Sequence, residues 1–77
     1  MPNNLYNWTF HDITKFLKQY GFSLKHVKGS HYFYVGNYGK MIRQVSIPFH
    51  GDKTIKPRTL KGIINQSGIS KDEWISK

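Results

Sequence analysis

The chain has 77 residues, with 12 Lys and Arg against 4 Asp and Glu for a formal net charge of +8, and a surface of that sign attracts polyanions, nucleic acid first among them. Its length predicts a single domain over 1–77 that buries about 60% of its unfolded surface, and the absence of Cys excludes disulfides and thiolate metal sites. No apolar run is long enough to cross a membrane and no secretory signal is evident, so a cytoplasmic protein with no membrane partner is expected.

Charge is unevenly placed, because Asp52 is the only acid between Ile13 and Lys71 while eleven Lys and Arg fall in that stretch. Thr9 and Asp12 stand at capping-box spacing and predict a helix start. Ile13, Phe16, Leu17 and Tyr20 then recur on one helical face, opposite Lys15, Lys18 and Gln19, and Gly21 supplies the stop. That stripe reads as core and not as a cofactor box. The Asn-rich segment Met1 to Trp8 is weakly patterned, with Tyr6 and Trp8 expected to fold back over an edge of the core.

From Phe22 the period shortens. Phe22, Leu24, His26 and Lys28 alternate with Ser23, Lys25 and Val27, and His31 to Val35 is almost wholly aromatic or β-branched. Gly29 suits the first central position of a type II′ turn, which sets Lys28 opposite His31. On that register Phe22, Leu24, Phe33 and Val35 share a face toward the first helix. Lys25, Val27, Tyr32 and Tyr34 then point to solvent or ligand.

Gly36 to Lys40 reads as a turn-rich connection and Met41 to Ile47 as a third strand, with Val45 and Ile47 inward and Pro48 ending the ladder. Phe49 to Lys56 forms a polar loop carrying His50, Gly51 and Asp52. Pro57 opens a second helix whose Leu60, Ile63, Ile64 and Ser67 make one face, closed by Gly68. Ser70 and Glu73 repeat the capping-box spacing, with Ile69 and Trp74 as a hydrophobic staple, and predict a short C-terminal helix. The fold class is therefore α+β, helix, three antiparallel strands, helix, with one sheet face covered and the other open, as in small RNA-binding modules.

Among chemistry-bearing residues, His31 is the side chain best suited to proton transfer, because imidazole titrates near neutral pH. Lys28, opposite it, can stabilise charge on a phosphorane-like transition state. Tyr32 and Tyr34, interleaved with Lys25, read equally as platforms that stack unpaired bases beside phosphate contacts and as exposed strand aromatics set by β propensity or a partner-protein interface; Ser30 and His50 join the RNA-contacting residues, with a plain loop role as the alternative for His50. His26 shares a face with Lys28 and His31 and is expected to be structural or a second acid or base. His11, in the first turn of a helix, has no evident role. The four His lack metal-ligand spacings and the acids are scattered, so neither a metal nor another cofactor is expected. A hairpin-end His31 that only bonds backbone, within a non-catalytic RNA-binding module or a cationic protein-interaction domain, is the alternative reading.

The fragments Tyr20-Gly21-Phe22, Lys28-Gly29-Ser30-His31, Ile47-Pro48-Phe49-His50, Thr59-Leu60-Lys61-Gly62-Ile63-Ile64 and Ser67-Gly68-Ile69, in this order and spacing, resemble the HicA family of toxins from bacterial type II toxin-antitoxin systems. The resemblance implies a fold similar to a double-stranded-RNA-binding domain and a metal-independent endonuclease acting on messenger RNA. It also implies a HicB-type antitoxin that holds the nuclease inactive, and it puts the family's active histidine at His31. The chain differs in reading Lys56-Pro57-Arg58-Thr59 where a Gly commonly precedes the Thr, and in its N-terminal extension up to Trp8.

Overall fold

The computed structural model describes residues 4–76. Residues 1–3, the beginning of the weakly patterned N-terminal segment, and residue 77 lie outside the described residues. The elements run α1 (Phe10–Gln19), β1 (Ser23–Lys28), β2 (His31–Tyr38), β3 (Met41–Pro48), α2 (Pro57–Ser67) and α3 (Lys71–Ile75). The strands form one antiparallel sheet in the order β1-β2-β3, which is the α+β layout that the sequence pattern predicts. Among the described residues no helix is long and apolar enough to cross a membrane.

Both halves of the α1 capping box form: Thr9 Oγ1 accepts from the Asp12 N–H at 3.2 Å, and Asp12 Oδ2 accepts from the Thr9 N–H at 3.0 Å. Two of the four orphan donors at the helix start are satisfied in this way. The helix buries Ile13, Thr14, Phe16 and Leu17. Its Phe16 ring stacks on Trp74 at 4.1 Å and meets Trp8 edge-on at 6.0 Å, so the N-terminal segment and α3 both close on α1. Trp8 is thus fully buried in the core instead of lying over its edge, and Tyr6, also expected to fold back, remains 63% exposed.

α2 carries the expected face, burying Leu60, Ile63, Ile64 and Ser67 against the core, with Pro57 in its first turn and Gly68 left-handed at its end. In α3, Ser70 Oγ accepts from the Glu73 N–H at 3.4 Å, but the Glu73 carboxylate turns to the Tyr20 hydroxyl at 2.7 Å and does not return to its own helix start. That hydrogen bond, helped by burial and by the carboxylate charge, pushes the Tyr20 hydroxyl up to about 12.

The hairpin places Lys28 opposite His31 as expected, and Gly29 takes the positive φ of 60° that a II′ turn demands. The ladder does not continue unbroken. Leu24 pairs with Tyr34 and His26 with Phe33, so Lys25 is the extra residue of a β-bulge. A bulge moves the residues beyond it to the opposite face.

Phe22 and Leu24 therefore lie on the face of Tyr32 and Tyr34, and this face packs on the helices. Tyr34, Val45 and Ile47 are buried there, with Tyr34 opposite Val45 and Tyr32 opposite Ile47. The expected sheet faces are thus exchanged on β2: Tyr32 and Tyr34 point inward, and Phe33 and Val35 lie on the open side.

β2 also runs further than expected, through Gly36 to Tyr38, and only Gly39 and Lys40 form the turn, at φ values of 63° and 64°. Two positive φ values define a type I′ connection, which matches the twist of the flanking strands. Gly36 belongs in the strand because the Phe22 ring occupies the space of a side chain: a Cβ there would stand 2.6 Å from Phe22 Cγ.

Candidate active site at the hairpin end

Tight turning at Gly29-Ser30 brings Lys28 and His31 together at the end of the sheet, both exposed and both on its open side. Across β2 from Lys28, His31 is opposite Pro48. The next residue, Phe49, donates its N–H to the Ser30 carbonyl at 2.7 Å, which fastens the loop after β3 to the hairpin turn. His50 follows directly, so His31, Lys28, Ser30 and His50 gather at one corner.

Aromatic packing holds this corner from below. Phe10 meets Tyr32 at 4.9 Å and Phe49 at 5.0 Å, both edge-on, and Tyr32 and Phe49 are 5.7 Å apart. Tyr32 therefore serves the site as a support beneath the hairpin and not as a platform above it. Tyr34 lies deeper, where burial pushes its hydroxyl up against an opposing hydrogen bond with Thr14.

The far end of the loop is fixed by a bridge between Thr54 and Thr9 and by the Ile55 N–H, which donates to the Trp8 carbonyl at 2.6 Å. Between the fixed ends and the start of α2 opens a cleft of about 370 Å³, walled by Pro48, His50, Lys53, Thr54, Lys56 and Thr59. Its polar lining is cationic or neutral, so it suits a phosphate-bearing chain.

The structure thus brings together four of the residues singled out in the sequence, His31, Lys28, Ser30 and His50, and separates three. Lys25 sits on the β1 bulge, exposed, while Tyr32 and Tyr34 face the helices. Lys53, Lys56 and Thr59 join His50 only through the fold, since nothing in their spacing marks them beyond the cationic composition of the loop. Another arrangement not foreseen is on the open face, where the His26 ring lies parallel to Phe33 with centroids 4.4 Å apart. Among the described residues no three His, Cys, Asp or Glu side chains gather to hold a metal ion.

The fold and site define a class only broadly, a small basic α+β domain with an exposed histidine and lysine at one end of its sheet. The comparison with protein families narrows it: the family described as HicA toxin of bacterial toxin-antitoxin matches residues 10–69, from the start of α1 to just past α2. The chain belongs to the HicA toxin family and is a toxin of a toxin-antitoxin system, with a HicB-type antitoxin as its implied partner. Comparison with curated proteins and with solved structures finds no match.

Proposed function

We propose that the chain is an endoribonuclease that cuts messenger RNA without a metal ion, and that its HicB-type antitoxin holds this activity in check. The cross-strand pair of His31 and Lys28 carries the reading, because it exposes a proton carrier and a cation side by side on the rigid end of a sheet. RNA brings its own nucleophile. The 2′-oxygen attacks phosphorus while the bond from phosphorus to the 5′-oxygen breaks, leaving a 2′,3′-cyclic phosphate and a 5′-hydroxyl. His31 takes the proton of the 2′-hydroxyl and gives one back to the departing 5′-oxygen. Lys28 donates hydrogen bonds to the non-bridging oxygens as their charge grows. The cleft beside them, with Lys53, Lys56 and His50, neutralises phosphates further along the strand.

Cleavage of a labelled single-stranded messenger RNA in EDTA tests this directly. His31→Ala is expected to lower the rate by about 10²- to 10⁴-fold, the usual worth of a general acid-base group, and to leave RNA affinity within a few-fold of wild type. Wild-type cuts should end in a cyclic phosphate. Equal cutting by both proteins, or binding by both without cutting, would overturn the proposal.

A further inference from the structure

The open face of the sheet carries a second feature one rung from His31. His26 is opposite Phe33, and Lys28 is opposite His31. His26 and Lys28, like His31 and Phe33, are two residues apart on their strands, so all four side chains stand on one face. The His26 and Phe33 rings are 4.4 Å apart and within 13° of parallel, a separation close to the spacing of about 4.8 Å between neighbouring strands. The two rings therefore stand upright, side by side, as a small stack. On its far side Phe33 is opposite Ser46, a side chain too short to cover an aromatic face, and His26 at the other end is exposed.

With Tyr32 and Tyr34 turned inward, this pair supplies the aromatic surface beside His31. One rung of a strand pair is about 7 Å, two residues of rise, and this is comparable to the reach from a nucleotide's phosphate to its base. Lys28 lies on the same face and Lys25 is one residue from His26, so the stack is flanked by cations. Aromatic faces bordered by cations are how proteins hold single-stranded nucleic acid, and the hold tolerates any base because every base has a π-face.

We propose that the His26–Phe33 stack receives an unpaired base of the RNA substrate, next to the phosphate that lies at His31. The proposal rests on the ribonuclease reading and deepens it: the enzyme takes its substrate single-stranded at the cut, with an aromatic hold on a neighbouring base. A cross-strand aromatic pair kept only for hairpin stability makes no such demand.

The test uses the full chain carrying His31→Ala, so that binding is measured without cutting. A short single-stranded RNA is titrated by fluorescence anisotropy. His26→Ala and Phe33→Leu should each weaken binding by about 10- to 100-fold, the usual effect of losing one stacked base. Neither should change the slope of affinity against salt, which counts phosphate contacts. An abasic nucleotide placed at successive positions should cost the parent protein most at one position, and cost the His26→Ala protein nothing further there. Thermal melting of each variant checks that it is folded, and Phe33→Leu keeps most of the apolar volume.

Three results would overturn the inference: an equal abasic penalty in both proteins, equal affinity for duplex RNA, or a loss in His26→Ala confined to antitoxin binding. Failure of the wild type to cut RNA is a separate result and refutes the ribonuclease reading. The stacking of an unpaired base is judged on its own.

Discussion

Gly36→Ala tests the packing that fixes the sheet's faces. A Cβ on Gly36 would lie 2.6 to 2.8 Å from three atoms of the Phe22 ring, where non-bonded carbons rest at about 3.5 to 4.0 Å. Relief requires a shift of about 1 Å, and Phe22 is only 2% exposed within a core whose neighbours are close-packed. Overpacking of this kind costs about 1 to 3 kcal/mol. Alanine returns about 0.5 to 1 kcal/mol, since glycine in a strand interior is the poorer residue. The expected net loss is about 1 kcal/mol, the centre of a range of about 0 to 2.5, and at that central value the melting midpoint of a domain of this size falls by about 4 to 8 °C.

Urea denaturation followed by tryptophan fluorescence measures the loss as a lower midpoint with an unchanged slope. Phe22→Leu in the same chain makes room, so the double variant should be more stable than the sum of the single losses by about 0.5 kcal/mol or more. A Gly36→Ala protein that melts at or above the wild type would refute the face assignment and the bulge that produces it.

Lys40 holds a φ of 64° in the type I′ turn without the freedom of glycine or the tolerance of asparagine. Lys40→Gly should raise stability by about 0.5 to 1 kcal/mol, seen as a higher urea midpoint, and an unchanged or lower midpoint would count against the turn assignment. Tyr20 is pushed up to about 12 from 10.0 by its hydrogen bond to Glu73, and then by burial and the Glu73 charge. Its folded value exceeds its unfolded one, so its stabilising effect is complete below pH 10 and fades as pH rises through about 12. The group is partly exposed, which keeps the effect below about 1 kcal/mol. Denaturation curves of Tyr20→Phe and wild type should therefore converge above pH 10, and curves that stay parallel would refute the coupling.

Local signals carried most of the fold. The α1 stripe, the α2 face and the Gly29-Ser30 turn are each set by residues within two helical turns or one hairpin, and each forms as its spacing predicts. Trp8 was less legible, because its burial depends on packing against Trp74 as well as Phe16, and Trp74, at the other end of the chain, arrives only when α3 docks. The second half of the α3 capping box gives way for a related reason: the Glu73 carboxylate has a better partner in Tyr20, 53 residues away.

The exchanged sheet faces show where sequence reading is most exposed to error. Side chains alternate with a period of two, so one extra residue reverses every assignment beyond it, and the bulge at Lys25 leaves no strong mark of its own. A signal did exist on the other side of β2. Reading Gly39-Lys40 as a two-residue turn pairs Tyr38 with Met41, and counting back sets Tyr34 against Val45 and Tyr32 against Ile47. Since Val45 and Ile47 point inward, the two tyrosines must as well; treating Gly36 to Lys40 as a single connection hides that constraint. The bulge then reconciles two demands that a regular ladder would set in conflict. Phe22 stays with the core, while His26 and Lys28 stay on the open side with His31, so a single inserted residue lets one short strand serve both the core and the exposed site.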